Sequence, residues 1–449
     1  MNHTLRILRN GLGLFVLLAL AAGAVWLIAH SRPHPPQAAG SPLPTPTPVR
    51  SPTPRQPAPA SPTPVATQVG QRVPYCTFPG GEPPERGGPG LDKYEFSEPQ
   101  VVLTNTGSIA IVNWLPDSNR LLVTRSYPKS YRERIETVDI RTGEVQLYAE
   151  RDHHNGKPVW LSAIQGVAYS TVLEDQIELR VGRVQPSGID TIAIAGRNHI
   201  ALGFSLAVEP GGRRLMYLVD RTGGRPQIWD GVERVTQAAA FDVTEWRDFP
   251  DPDSAKNALP RWSPNGVQLA VFAYPALFLV EPGPNRVCEI DLGSVAGVPR
   301  FALDSRWSPN ARYLAMITTA RLPGELVRST NLVVLDIPTG ASRQIPLAAK
   351  PVYITDLAWD SSSRYLVALA QVETIQDRPI ERLFLVDAVT GDVRPMLPER
   401  AFGGGTVVGQ QMVWSPNGQT IALKCPVWLE AEPTITEDRV CLISTGVRP

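Results

Sequence analysis

Four charged side chains in β-rich segments of this 449-residue chain, Arg261, Asp304, Arg306 and Asp356, have the types and spacing to act together. A carboxylate beside a guanidinium can hold or move a proton, so two of each converging on a small substrate would suit a hydrolase or lyase. They can equally neutralise one another, and that is the expected role. Few other groups offer chemistry. Asp152-His153-His154-Asn155 supplies metal-ligand types, but it runs into Gly156 as a polar loop would. Asp248-Phe249-Pro250-Asp251-Pro252-Asp253 clusters carboxylates, yet it lacks the glycine and terminal glutamate of an EF-hand. Beyond these two histidines only His199 lies outside the N-terminal part, so a histidine triad or metal site has little to draw on. No GxSxG nucleophile elbow occurs; Gly203-Phe204-Ser205-Leu206-Ala207 lacks the second glycine and reads as strand. No metal or other cofactor, and no enzymatic activity, is expected.

The segments carrying the four charges belong to a repeat. Beyond about Glu98 the phrase Trp, turn, apolar strand returns at intervals of roughly 45 to 55 residues. It is sharp at Trp262-Ser263-Pro264-Asn265-Gly266, Trp307-Ser308-Pro309-Asn310-Ala311 and Trp414-Ser415-Pro416-Asn417-Gly418, and looser at Trp114 and Trp359. Trp160 and Val208 fit by spacing alone. Proline sets φ in a tight turn, Asn tolerates the next position, and Gly accepts the positive φ that returns the chain antiparallel. Ala311 stands where Gly would be easiest, so that turn is either strained or of another type. A second signal follows the better copies: Val138-Asp139 to Gly143, Leu335-Asp336 to Gly340 and Val386-Asp387 to Gly391 each end a strand in a Thr-Gly turn. The unit is therefore four antiparallel strands, and the fold class is all-β, a β-propeller of seven such blades, with six as the alternative. The repeat tryptophans are expected to pack blade on blade.

This unit resembles the WD-repeat-like propeller repeat of TolB-type periplasmic proteins, which also occurs in the propeller domains of prolyl-oligopeptidase-type peptidases. The resemblance covers roughly residues 100 to 446. It implies the fold, and functions ranging from protein-binding scaffolds to regulatory domains of hydrolases. A peptidase of that kind would need an α/β-hydrolase domain as well; the sequence reaches Pro449 directly after the last repeat, so peptidase activity is not expected.

The N-terminal part is compositionally separate. Residues 11–29 are uncharged and apolar, and as a helix they reach roughly 28 Å, enough to cross a hydrocarbon core. Arg6 and Arg9 precede them, which places residues 1–10 in the cytoplasm and the remainder beyond the membrane. A cleaved signal peptide is the competing reading, because Ala22-Gly23-Ala24 has the small-residue pattern a signal peptidase accepts. Cleavage there would leave the apolar Val25-Trp26-Leu27-Ile28 at the new terminus, so an uncleaved anchor is favoured. Cys76 is too distant from the run to be an acylated residue. Residues 30–97 are rich in proline and glycine and read as an extracytoplasmic linker, with a polyproline stalk up to about Val73. The propeller takes 98–449.

With 43 basic and 43 acidic residues the chain has no net charge, which argues against nucleic acid as a partner. The expected partners are the membrane, through the N-terminal helix, and a protein or cell-envelope component. Long segments join second to third strands and each unit to the next, on the rim opposite the WSPNG and Thr-Gly turns. Tyr127, Tyr131, Arg132, Trp246, Arg321 and Trp428 lie in or beside them and are candidate anchors, since aromatic and Arg side chains dominate interface energetics. Outside the cytoplasm disulfides can form. Cys425 and Cys441 suit a hairpin staple; Cys76 could instead pair with one of them and pin the stalk, and sequence leaves both open. The last unit lacks a fourth strand, and Gln100–Thr104 is expected to supply it by pairing with Arg439–Ser444.

Overall fold

A computed structural model describes residues 78–447, apart from 85–88, 153–156, 200–203, 220–226, 230–234, 238–258, 282–285, 321–328, 404–410, 429–435 and gaps of one or two residues. Contacts divide the chain into Met1–Pro62 and Thr63–Pro449, and every described residue belongs to the second unit. The expected anchor at 11–29 and its proline-rich stalk lie outside the described residues. Among the described residues no helix is long and apolar enough to cross a membrane.

The fold is an all-β propeller. Six antiparallel sheets are each built from four consecutive strands. The first blade comprises Ile109–Trp114, Arg120–Ser126, Arg132–Asp139 and Val145–Asp152, and the second begins at Val159–Leu161. The third begins at Phe204–Val208, the fourth at Leu259–Trp262, the fifth at Phe301–Trp307 and the sixth at Tyr353–Trp359. A further sheet is composite: Met412–Trp414, Thr420–Lys424 and Thr436–Val447 run inside to outside, and Gln100–Asn105 completes the edge. Innermost strands of successive sheets touch around the ring, and Met412–Trp414 touches Ile109–Trp114 to close it. Apolar clusters lie between successive blades, as where Ile317 and Val334 of the fifth meet Leu357, Trp359 and Val386 of the sixth. Middle strands are therefore covered on both faces: every residue of Tyr313–Thr319 is buried.

The turn chemistry is the expected one, with side chains doing part of the bonding. In the turn after Trp307, the Ser308 hydroxyl accepts from the Tyr313 amide at 2.8 Å and the Asn310 carboxamide oxygen from the Arg312 amide at 3.1 Å. Ser263 with Asn265, and Ser415 with Asn417, repeat the arrangement. Gly266 and Gly418 take φ of +71° and +73°, and Ala311 adopts +58° in the same position, so the strained alternative is the one realised. In the Thr-Gly turns, Asp139 and Asp387 accept two successive backbone amides each, at 2.9 and 3.1 Å.

Closure follows the expected pairing: Gln100 lies opposite Leu442, Val101 opposite Cys441, and Leu103, Thr104 and Asn105 opposite Val440, Arg439 and Asp438. A bulge between Val101 and Leu103 changes the detail. Leu103 is buried, whereas Val101 is turned out and exposed rather than contributing to the core.

From Phe78 onward the proline- and glycine-rich segment is docked on the face formed by the WSPNG and Thr-Gly turns. Phe78 is buried among Phe272, Trp307, Met316 and Leu335, between the fourth and fifth blades. The Pro79 carbonyl accepts from the Gln268 side chain of the fourth blade. Carbonyls of Gly81 and Glu82 accept from Arg312 at 3.2 Å and Asn310 at 2.9 Å, both in the fifth. Gly81 sits so close to the Asn310 carbonyl that a Cβ would not fit. Farther on, Pro89 accepts from the Tyr365 hydroxyl of the sixth blade, and the Tyr94 ring packs edge-on to Tyr365 with centroids 4.9 Å apart. Tyr94–Phe96 then adds to the end of Thr436–Val447.

Candidate functional site

The channel is lined by the innermost strands, and their register decides which side chains meet there. Arg261 stands one residue before its repeat Trp, as Arg306 does, while Asp304 and Asp356 stand three before theirs. The four form one continuous chain of ion pairs across three blades. Arg261 Nη2 lies 3.4 Å from Asp304 Oδ1; Arg306 Nη1 lies 2.6 Å from Asp304 Oδ2, and Arg306 Nη2 lies 3.0 Å from Asp356 Oδ1. Asp356, fully buried, also accepts the backbone amides of Gln411 at 2.7 Å and Met412 at 2.8 Å through Oδ2, carrying the chain into the composite sheet.

Burial opposes the charge on Asp304, but Arg306, Arg261 and Lys157 outweigh it and hold the carboxyl below its ordinary value. Burial wins at Asp356 and pushes it up, with the Asp304 charge adding to the rise. Lys157 is the functional candidate that sequence reading missed. Burial first, and then the Arg306 and Arg261 charges, bring its ammonium down to about 7, against the pull of Asp304 and Asp356. A signal was available: Lys157 stands three residues before Trp160, the position of Asp304 and Asp356 in their own blades. Gln411 holds that position before Trp414.

The repeat tryptophans act as structural pins. The indole N–H of Trp307 donates to the Arg261 carbonyl at 3.0 Å, Trp359 to Arg306 at 2.9 Å and Trp114 to Val413 at 3.2 Å. Each bond ties a blade to the residue just before the repeat Trp of the preceding one. Trp414 turns to its own turn and donates to Gly418, while the indole nitrogens of Trp160 and Trp262 have no partner among the described residues.

Of the rim candidates, Tyr127 and Arg132 lie on the first blade. Arg134 covers the Tyr127 ring at 5.2 Å and Arg125 approaches it at 6.0 Å. Arg132 extends into solvent, 3.8 Å from Glu150. Trp428 pairs through its backbone with Thr436. Tyr131, Trp246 and Arg321 lie outside the described residues, as do His153, His154 and the Asp248–Asp253 stretch. Among the described residues there is no cluster of three or more His, Cys, Asp or Glu that could hold a metal. Cys425 and Cys441 form a disulfide with Cα atoms 6.0 Å apart. Cys288 on the outer strand of the fourth blade is also disulfide-bonded.

No protein-family model and no curated protein matches the chain. Solved structures do. An oligogalacturonate lyase from Vibrio parahaemolyticus is similar with a TM-score of 0.52 at 10% identity, over 78% of this chain and 97% of that one. The Swd1 β-propeller domain of Myceliophteria thermophila gives 0.48 at 10% identity, over 75% and 98%. TolB from Acinetobacter baumannii gives 0.39 at 13%, over 71% and 78%. TolB proteins and WD-repeat propellers are thus among the structural neighbours, while the likeness to the lyase, at 10% identity, shows the fold alone.

Proposed function

We propose that the chain is a non-enzymatic recognition scaffold, tethered to a membrane by residues 11–29 and displayed outside the cytoplasm, which binds a protein or cell-envelope partner on its loop rim. The composite sheet is read as the seventh blade. The observation that carries the proposal is the mutual pairing in the channel. Arg306 spans Asp304 and Asp356, and the second oxygen of Asp356 is taken by two backbone amides. These groups stitch the fourth, fifth and sixth blades to the composite sheet, a structural use for the residues best suited to catalysis. The face of the WSPNG turns is occupied by Phe78–Glu82 and Pro89–Phe96, which leaves the loop rim as the face offered to a partner.

A second reading, a hydrolase or lyase working in the channel, has one observation in its favour. Lys157, brought down to about 7 beside two carboxylates, has a value suited to a general base. Two measurements separate the readings. Partner capture by the purified full-length protein should be abolished by Arg132→Glu with Tyr127→Ala, and retained in Arg306→Gln. Stoichiometric metal in elemental analysis, or capture lost only in the channel variant, would favour the enzyme.

A further inference from the structure

Pairing in the channel is uneven, and the unevenness falls on one residue. Arg306 spans two carboxylates, and its Nη1 also donates to the Ser305 carbonyl at 2.9 Å. The carboxylates are themselves well supplied with donors. Besides their arginines, Asp304 accepts the Ser305 amide and Asp356 the amides of Leu357, Gln411 and Met412. Arg261 stands in the same register as Arg306, one residue before its repeat Trp, yet it has a single carboxylate. The position that gives Arg306 an acid within its own blade, three residues before the Trp, is Leu259 in the fourth blade, a residue type with no acceptor. Arg261 therefore makes two long bonds, 3.3 Å to the Pro260 carbonyl and 3.4 Å to Asp304. A guanidinium carries five N–H groups. Three of those on Arg261 have no acceptor among the described residues, and the side chain is 30% exposed.

We propose that the channel binds a small monocarboxylate, whose oxygens accept the remaining N–H groups of Arg261 and whose charge is balanced by Lys157. The paired N–H groups of a guanidinium match the two oxygens of a carboxylate, so the guest gives Arg261 what Asp304 gives Arg306. Charge agrees with this. Lys157 of the second blade acts on the same four groups, and burial first, then Arg306 and Arg261, oppose its proton. Among these five groups, three cations face two carboxylates, so one negative charge is favoured there and a second is not. The site calls for no reaction and no rim partner, and it stands whichever reading of the chain's function holds.

The test is saturation-transfer NMR on the full-length protein in micelles of an uncharged detergent, with acetate as the probe, at a pH of about 6.5 where the Lys157 ammonium is charged. Acetate should give a saturable signal. Acetamide, of the same shape but neutral, should give none at the same concentration, and the dianion sulfate should displace acetate only at higher concentration than acetate itself requires. Arg261→Gln and Lys157→Met should each weaken acetate binding at least about tenfold, whereas Arg141→Gln, at an exposed arginine of the first blade, should leave it unchanged. Lys157→Met serves alone if Arg261→Gln does not fold. The site is overturned by the lack of a saturable acetate signal, by acetamide binding as well as acetate, by sulfate binding more tightly, or by acetate binding unchanged in either channel variant.

Discussion

The two halves of the ring are held together differently. From the fourth blade to the composite sheet, a chain of ion pairs runs through Arg261, Asp304, Arg306 and Asp356, two indole bonds cross the blade junctions, and the docked N-terminal segment lies on the turn face. From the second to the third blade the contact is largely apolar, through Leu161, Leu179, Leu206, Leu215 and Trp229, with a backbone bond from the Ala163 amide to the Gly212 carbonyl at 3.4 Å, and the indoles of Trp160 and Trp229 find no partner among the described residues. The difference teaches what the repeat phrase is for. Where the Trp keeps its phrase and charged residues precede it, one blade is fixed to the next by directional bonds. Where the phrase is eroded, apolar stacking is the main contact among the described residues, and such an interface tolerates changes of side chain that a hydrogen bond does not.

The comparison is broken most severely by cutting the ion-paired half at its edge. Deleting residues through Gly107 removes the docked segment and both closing strands, and should cost on the order of 5 kcal/mol or more. Deletion through Gly70 should leave the melting temperature nearly unchanged. Equal melting of the two truncations would mean that closure by Gln100–Asn105 contributes nothing. Next in size is Asp356→Ala, which leaves Arg306 with Asp304 alone and two backbone amides without their acceptor; about 3 kcal/mol is expected in denaturant unfolding. Ser205→Ala, in the same strand position of the third blade, should cost less than about 0.5 kcal/mol.

A sharper contrast comes from one substitution made in both halves. Trp359→Phe loses its bond to the Arg306 carbonyl and should cost about 1 kcal/mol more than Trp160→Phe, whose indole nitrogen has no partner among the described residues. A further effect is one of pH. Lys157 titrates near 7 when folded and at 10.5 ordinarily, so between those values the unfolded chain holds a proton that the folded chain has released. Stability should therefore rise with pH from about 7 upward, with the penalty fully present below 7. Lys157→Met should abolish that rise as read by melting temperature between pH 7 and 9, and an unchanged slope would show that Lys157 is not its source.

Much of this was legible in the residues. Turn phrases fix their own geometry locally, so Ser263, Asn310 and Gly418 announced hairpins, and the missing fourth strand of the last unit pointed to Gln100–Thr104 because an open sheet edge demands a partner. The pairing of Arg261, Asp304, Arg306 and Asp356 was expected from their strand positions. Less visible was Lys157, because the copy around Trp160 is too eroded to reveal its register until the strands are laid side by side. Docking of Phe78 to Phe96 was invisible for another reason. Proline and glycine signal the absence of regular structure, yet such a segment can still bond through its carbonyls, as Pro79, Gly81 and Pro89 do. The bulge that turns Val101 outward likewise has no local signature.

The recognition proposal is tested most directly by photo-crosslinking in intact cells, with a photoreactive residue placed once at Arg132 on the loop rim and once at Val267 on the turn face. Both side chains are exposed, Arg132 at 71% and Val267 at 42%. The account predicts one discrete crosslinked partner from position 132 and none from position 267. The same partner trapped from position 267 and absent at 132 would contradict it.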